Sequence, residues 1–220
     1  MSLAPLRAAL RQALAAETDA DKGDAAHDLA HADRVWTHAR TIAHGEGMAP
    51  SRVLLCAAYL HDLVTLPKDH PKRARAAMMS ASAAGPVMQA LGLTPTEIAQ
   101  ARHAIEAHSF SGGTEPQSPE ARILRDADRL EALGAIGVAR CFAVSGALGR
   151  PLFDAEDPFA VGRVPDDAVS ALDHFAVKLL KLPDSFLTAT GRRLAEERAT
   201  VMRRYLADLA RELGTPPPAW

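Results

Sequence analysis

The chain has 220 residues and a formal net charge of −2 at pH 7. This balance excludes a non-specific nucleic-acid binder, because such proteins carry a strong basic surplus. The composition is 48% hydrophobic but only 5% aromatic, and the recurring Ala, Leu and Arg lose little free energy on entering a helix, so we predict an all-α protein.

The two cysteines, Cys56 and Cys141, lie far apart in apolar stretches and are interpreted as small buried hydrophobes. Their spacing is not that of a metal site, and a reducing compartment suits them. Arg7 and Arg11 interrupt the apolar N-terminus, which argues against a signal peptide, and no stretch is apolar enough to span a bilayer. We expect a cytoplasmic protein without a membrane partner.

Apolar periodicity and start signals predict the helices in chain order. Thr94, Pro95 and Glu97 form a typical helix start, with a cap, a proline at the first position and a glutamate three residues after the cap. Residues 109–118 and 149–165 are rich in Gly, Pro, Ser and Asp and are expected to form loops. The predicted helices are Ala4–Glu17, Ala26–His44, Ser51–Val64, His70–Leu91, Pro95–His108, Pro119–Leu148, Asp166–Leu182 and Phe186–Leu213.

The second and third predicted helices carry the first candidate site residues. His27 and His31 are four residues apart, so both imidazoles can face one site, and Arg34 lies on the same helix. His61 and Asp62 end the run RVLLCAAYLHDLV, which is apolar on every side and therefore buried. Ionisable groups there cost free energy unless something binds them. A bound metal ion meets this requirement, and a hydrogen-bonded His–Asp pair is the alternative.

On the fifth predicted helix, His108 is in phase with the apolar positions Ile98, Ala101 and Ile105, whereas His103 is out of phase with them. We therefore rank His108 above His103 as a site residue, with a buried structural histidine as the alternative.

The sixth predicted helix carries two aspartates in different surroundings. Asp128 shares a face with Leu124 and a series of alanines, so it is a carboxylate on a face that packs closely against another helix. Asp126 lies at helical spacing from Arg122 and Arg129, which is typical of a solvated charge group. Asp128 is therefore the functional candidate. The alanines on its face are Ala121, Ala132, Ala135 and Ala139.

The order of these residues, a His, a His-Asp pair, a His and a distant Asp, resembles the HD-domain superfamily of metal-dependent phosphohydrolases. The resemblance implies an HD-domain helical bundle with a C-terminal helical extension. We expect residues 1–220 to form a single domain of this kind, with a metal-binding core at about 26–148 and C-terminal helices at about 166–213. It also implies one divalent metal bound by His31, His61, Asp62 and Asp128.

The blocks HDLAHADRV, HDLVTLPKDHPKRARA, AIEAHSFS, RILRDADRLEALGAIGVAR and GRPLFD are similar to a bacterial subgroup of small HD hydrolases. One departure is HFAVKLL, where the subgroup usually has HFYEKLL, so Ala176 and Val177 replace a Tyr and a Glu. Superfamily members that hydrolyse guanosine polyphosphates carry two acids shortly after the His-Asp pair. Val64, Thr65 and Leu66 stand in that stretch here, which disfavours that activity.

Two imidazoles and two carboxylates suit Mn²⁺, Fe²⁺, Co²⁺, Ni²⁺ or Zn²⁺, and such a metal activates water and polarises a phosphoryl oxygen. Asp62 is expected to orient the water as well as to bind the metal. Phosphoryl oxygens need cations in the transition state. Lys68 is the first choice, held near the ligands by the turn at Leu66 and Pro67. Other substrate-binding candidates are Arg34, Arg75, His27 and His103, and a second metal near His27 or His108 is a further option.

The predicted function is hydrolysis of a phosphate ester or anhydride in a nucleotide. The subgroup resemblance implies pyrophosphate release from nucleoside triphosphates, with phosphomonoester hydrolysis as the second choice. The predicted catalytic residues are Asp62, Lys68 and His108. One alternative is a di-iron oxygenase that uses His103 and His108 as further ligands, and another is a non-catalytic nucleotide-binding regulator. We expect a monomer or a homodimer.

Overall fold

A computed structural model describes residues 2–17, 29–66, 70–109 and 112–220, and these residues form helices and no strands. Short 3₁₀ helices cover Arg73–Arg75, Leu130–Ala132 and Leu179–Ser185. The α-helices are α1 (Ala4–Glu17), α2 (Leu29–Gly45), α3 (Arg52–Leu60), α4 (Ala76–Ala90), α5 (Pro95–His108), α6 (Pro119–Arg129), α7 (Gly134–Ala147), α8 (Asp173–Val177) and α9 (Ala189–Leu213). The predicted all-α class is confirmed.

Local sequence signals predicted two of the helices correctly. Helices α1 and α5 have the predicted bounds. At the start of α5, the Thr94 side chain accepts a hydrogen bond from the Glu97 backbone N–H, and the Glu97 carboxylate accepts one from the Thr94 backbone N–H. This capping box satisfies backbone donors that have no partner within the helix.

Helix α3 is shorter than predicted. Ser51 caps it by accepting a hydrogen bond from the Leu54 backbone N–H, and the helix ends at Leu60. His61 and Asp62 therefore lie in the turn that follows the helix rather than inside it.

The prediction of one helix over Pro119–Leu148 is wrong. Leu133 is extended (φ −119°, ψ 162°) and Gly134 has φ +72°, a conformation that glycine adopts without steric cost. Gly137 follows in α7, and a Cβ there would overlap the backbone oxygen of Ala132. The chain thus changes direction where an unbroken alanine-rich pattern predicted continuous helix.

The prediction of a helix over Asp166–Leu182 is also wrong. The backbone N–H of Asp166 donates to the Asp173 carboxylate over 2.7 Å, and Arg163 pairs with the same carboxylate, which is fully buried. These bonds hold the segment before α8 in turns, because a buried carboxylate must have its acceptors satisfied. The helix predicted from His70 also begins later, with α4 starting at Ala76.

The chain divides into two compact units, Met1–Asp128 and Arg129–Trp220. Within the first unit, α3 packs against α1, α2, α4 and α5, and every residue from Val53 to Leu60 is buried. Each large apolar side chain buried in this way stabilises the fold by roughly 1.5–3 kcal/mol. Helix α3 is therefore the central element of this unit, and His61 and Asp62 are attached directly to its end.

The second unit has its own aromatic core. The Phe175 and Tyr205 rings stack with centroids 6.2 Å apart, and Phe142 lies 6.1 Å from Phe175. None of the helices among the described residues is by itself long and apolar enough to cross a membrane. The single-domain organisation over residues 1–220 stays a prediction.

Candidate metal centre

Four side chains of the first unit meet at the end of α3. His31 projects from α2, His61 and Asp62 follow α3, and Asp128 lies in the last turn of α6. His31 Nε2 lies 3.3 Å from His61 Nε2 and 3.5 Å from Asp128 Oδ1. Asp62 Oδ2 lies 3.5 Å from His61 Nε2 and 3.9 Å from His31 Nε2. Residues far apart in sequence therefore present two nitrogens and two oxygens to one small volume.

The backbone of α3 sets the tautomer of His61. His61 Nδ1 lies 3.0 Å from the carbonyl oxygen of Ala58, which can only accept a hydrogen bond. Nδ1 therefore carries a proton, and the Nε2 lone pair of the neutral ring is directed toward Asp62 and Asp128. Outer hydrogen bonds of this kind typically orient histidine ligands of metals.

His108 extends the cluster on the far side of Asp62. Its Nδ1 donates to the carbonyl oxygen of Ile105 over 2.5 Å, and its Nε2 lies 3.6 Å from Asp62 Oδ1. The His61 and His108 rings meet edge to face, with centroids 4.9 Å apart. One carboxylate oxygen of Asp62 thus faces His31 and His61, and the other faces His108.

The charges in this cluster stabilise one another. Burial alone would raise the pKa of Asp128, but hydrogen bonds and opposite charge from His31 and His61 hold that pKa well below its usual range. Burial alone would lower the pKa of His61, but the Asp62 and Asp128 carboxylates outweigh it and raise the pKa. The cluster therefore keeps the Asp128 carboxylate ionised and favours a positive charge on the histidine side of it.

This geometry fits a divalent metal. Two donor atoms bound to one ion in a tetrahedral arrangement, each about 2.1 Å from it, lie about 3.4 Å apart. The two histidine nitrogens lie 3.3 Å apart, and each lies 3.5–3.9 Å from a carboxylate oxygen of Asp62 and of Asp128, which is close to this value. His31 and His61 are both nearly inaccessible to solvent. Two buried imidazole nitrogens that face each other at 3.3 Å need a cation or a proton between them.

A second group could also hold a metal. His61, Asp62 and His108 each offer one donor atom, and these atoms lie within 4.8 Å of one another. The second group shares His61 and Asp62 with the first group, which consists of His31, His61 and Asp128.

The expectation that Asp126 is solvated is wrong. Asp126 is fully buried, whereas the Asp128 side chain is 29% exposed. The helical positions of Arg122 and Arg129 suggested a charged surface, but Arg129 is part-buried and donates to Ser185. The predicted buried face of alanines also ends at the break at Leu133, because Ala135 and Ala139 are exposed.

Three of the predicted substrate-binding residues lie within the described part of the chain, each in different surroundings. His103 Nε2 accepts a hydrogen bond from the Gln117 backbone N–H over 3.1 Å, so it binds the loop after α5 instead of the cluster. Arg75 lines a separate cavity of about 180 Å³ together with Glu106 and Thr114. Arg34 is half-buried and follows His31 by one turn of α2. Two further candidates, His27 and Lys68, lie outside the described residues.

The sequence did not predict several polar contacts that hold the site in place. Ser80 of α4 is fully buried, and its Oγ accepts from the Val64 backbone N–H over 3.0 Å. Ser80 thereby holds the segment that follows Asp62. The backbone oxygens of Ala58 and Ile105, which orient two of the histidines, were missed as well. Every residue has a backbone carbonyl, so the sequence does not indicate which of them will accept a hydrogen bond from a histidine. A single serine in an alanine-rich helix likewise does not indicate a buried structural contact.

Comparison with known proteins places this site in context. Residues 28–133 match the HD domain family. The uncharacterized protein YpgQ of Bacillus subtilis is 32% identical over 200 residues, which is 89% of this chain and 87% of YpgQ. The crystal structure of YpgQ in complex with ADP superposes with a TM-score of 0.74 at 30% identity, covering 96% of this chain and 97% of that chain. An HD-superfamily hydrolase from Bacillus thuringiensis superposes with a TM-score of 0.73 at 28% identity, covering 97% and 99%.

Proposed function

The chain belongs to the HD-domain family, and from this membership and the geometry of its site we propose that it hydrolyses phosphate esters or anhydrides of nucleotides with the help of a divalent metal. The observation that carries the proposal is that His31 and His61 lie within hydrogen-bonding or ion-pairing distance of each other and of both Asp62 and Asp128. These four residues are the proposed metal ligands.

The proposed metal is one of Mn²⁺, Ni²⁺, Co²⁺, Fe²⁺ or Zn²⁺, because the donor set is half nitrogen and half oxygen. When bound, such a metal supplies Lewis acidity, which polarises a phosphoryl oxygen and strengthens water as a nucleophile near neutral pH. The chain's own residues position the substrate and move the protons. A second metal remains part of the proposal, and it would use Asp62 and His108 from the second group of donors, since the single Nε2 lone pair of His61 binds one ion.

Asp62 and His108 are the proposed proton-handling residues. Asp62 Oδ1 points away from the His31–His61 pair and toward His108 Nε2. A water molecule beside Asp62 can therefore be oriented by its carboxylate, while His108 Nε2 holds a proton for the leaving group. His108 is only 8% exposed, so this proton is largely shielded from bulk solvent.

Cations must offset the charge that spreads over the phosphoryl oxygens. We assign this role to Lys68, six residues after Asp62, with Arg34 as a second contributor on α2. His27 and Arg75 remain candidates for more distant phosphate contacts. Lys68→Ala should impair turnover while the metal stays bound, because Lys68 is proposed as a cation beside the ligands and not as a ligand.

A nucleotide is the proposed substrate. This proposal is supported by the similar protein YpgQ, whose crystal structure was determined in complex with ADP. We propose release of pyrophosphate from nucleoside triphosphates as the activity, and phosphomonoester hydrolysis as the second choice. We propose that the protein acts in the cytoplasm as a monomer or homodimer, without a nucleic-acid polymer or a membrane as partner. The buried thiols of Cys56 and Cys141 suit that compartment.

The di-iron oxygenase alternative loses support from His103. That alternative needs both His103 and His108 as further ligands, yet His103 Nε2 accepts a hydrogen bond from Gln117. A metal analysis distinguishes the two proposals, since the oxygenase requires two irons per chain.

The test is a substrate screen with the metal-free protein after addition of Mn²⁺. Nucleoside mono-, di- and triphosphates are supplied, and the products are resolved as phosphate or pyrophosphate. We expect turnover of triphosphates with pyrophosphate as a product, none without metal, and none in Asp62→Asn. Phosphate release from monophosphates alone would select the second choice. No turnover of any nucleotide by metal-loaded protein would contradict the proposed function.

A further inference from the structure

A second cavity of the first unit lies on another side of α2. It has a volume of about 380 Å³, within the range of small-molecule sites. Its lining residues come from the start of α1, from one stripe of α2 and from the segment before α3: Leu3, Ala4, Arg7, Trp36, Arg40, His44 and Pro50. None of the proposed metal ligands lines it.

Helix geometry separates this cavity from the metal centre. Trp36, Arg40 and His44 are spaced four residues apart and so form one stripe of α2. Arg40 follows His31 by nine residues, which corresponds to a rotation of about 180° and a rise of about 14 Å along the helix. A ligand in the cavity therefore does not contact the metal centre.

The charged groups on the cavity wall are all basic. Arg7 is compensated, because its guanidinium lies 2.9 Å from Asp33 and its Nε lies 2.7 Å from the Tyr59 hydroxyl. Arg40 makes no ion pair with any acid among the described residues. The central carbon of its guanidinium lies 6.0 Å from the centroid of the Trp36 ring. Arg40 therefore keeps a positive charge that a ligand can neutralise, and its exposed guanidinium lies over an aromatic ring that attracts cations.

The rest of the wall is apolar. Leu3, Ala4 and Pro50 offer aliphatic surface beside Arg40, and Trp36 is almost completely buried beneath its guanidinium. His44 is exposed in the last turn of α2, where a basic side chain also interacts favourably with the carbonyl end of the helix. Its position alone therefore points to no ligand, and the argument depends on Arg40 and the aliphatic wall.

We propose that this cavity binds a small organic anion, with its anionic group on Arg40 and an apolar body against Leu3, Ala4 and Pro50. A carboxylate or sulfonate on a ring system has this chemistry. The cavity is too far from the metal centre to be part of the proposed hydrolytic site, so the inference stands independently of the proposed function.

The experiment uses the full chain with Trp220→Phe, which leaves Trp36 as the only tryptophan. The probe is 1-anilinonaphthalene-8-sulfonate, an aromatic sulfonate that accepts excitation energy from a nearby tryptophan. We expect saturable binding of one probe per chain with energy transfer from Trp36. Arg40→Gln should raise the Kd at least about tenfold, which is about 1.4 kcal/mol. Arg203→Gln is the matched control, because Arg203 is an exposed arginine on another helix.

Two further measurements define the site and the ligand. Asp128→Asn should leave probe binding unchanged, and Leu3→Glu should weaken it by placing a negative charge in the cavity. Benzoate should displace the probe, whereas inorganic phosphate at the same concentration should not. Three results would overturn the proposal: an unchanged Kd in Arg40→Gln, a loss of binding in Asp128→Asn equal to that in Arg40→Gln, or displacement by phosphate as effective as by benzoate.

Discussion

His31 and His61 bring their Nε2 atoms to 3.3 Å of one another, although 30 residues separate them in the chain. Because His61 carries its Nδ1 proton toward Ala58, its Nε2 atom offers a lone pair to this contact when the ring is neutral. The Asp62 and Asp128 carboxylates lie beside both rings. The arrangement is thus suited to hold a cation, and it is reached only when α2, α3 and α6 are packed together.

We expect Asp128→Asn to remain folded and to lose bound metal, with an affinity decrease of at least about 100-fold. An amide is a weaker ligand than a carboxylate and adds no negative charge. Metal content after dialysis, measured by mass spectrometry, checks this result alongside circular dichroism. Asp208→Asn is the control, because the Asp208 side chain is 44% exposed on α9 and pairs with the exposed Arg211 of the same helix. Equal metal content in both folded variants would show that Asp128 is not a ligand.

We expect His108→Ala to lower kcat at least about 100-fold with nucleotide substrates, since a positioned acid or base contributes that much. His103→Ala should affect kcat far less, because His103 binds the backbone of Gln117 outside the cluster. Steady-state kinetics at a fixed Mn²⁺ concentration compare the two variants. A larger decrease of kcat in His103→Ala than in His108→Ala would show that the catalytic role belongs to His103 and not to His108.

Asp126→Ala should lower the free energy of unfolding by about 1–3 kcal/mol, because a fully buried carboxylate is removed from its partners. Metal binding by the variant that remains folded should resemble that of the unaltered chain. Denaturant unfolding and metal analysis together check this expectation. Loss of metal with unchanged stability would place Asp126 in the metal centre instead.

We expect a stability loss at alkaline pH that depends on Cys56. Burial raises the pKa of its thiol from 9.0 to about 12. The neutral thiol is therefore favoured in the folded state, so its contribution to stability is complete below pH 9 and is lost as the pH rises toward 12. At pH 10 the loss is about 1.4 kcal/mol.

Urea unfolding of the unaltered chain and of Cys56→Ala at pH 7 and pH 10 measures this effect. The difference in unfolding free energy between the two proteins should change in favour of Cys56→Ala at pH 10. An identical pH dependence in both proteins would mean that Cys56 ionises as easily in the folded chain as in the unfolded one.

Two glycines of α7 form a matched pair. Gly137→Ala should destabilise the protein by about 1–3 kcal/mol, because the added Cβ would overlap the backbone oxygen of Ala132 and force a shift. Gly146→Ala should be neutral or stabilise by up to about 1 kcal/mol, since open space surrounds that position and alanine favours helix. Thermal unfolding of both variants checks the pair, and equal melting temperatures would contradict the close approach at Gly137.

The sequence by itself determined the features that depend on neighbouring residues. The capping box at Thr94 and Glu97 and the bounds of α1 and α5 follow from local hydrogen bonds and apolar spacing. The all-α class and the family were also readable, because composition and the order of the His and Asp residues are properties of the chain itself.

Tertiary structure decided what depends on packing between distant residues. The break at Gly134 arises where the chain must turn, although the alanine-rich pattern on either side favours continuous helix. Asp126 and Asp128 are two residues apart and chemically identical, so only the helices packed around them could decide which is fully buried and which faces the histidines. Helical phase ranked His108 above His103, but the 3.6 Å contact between His108 and Asp62 required the ends of α3 and α5 to meet.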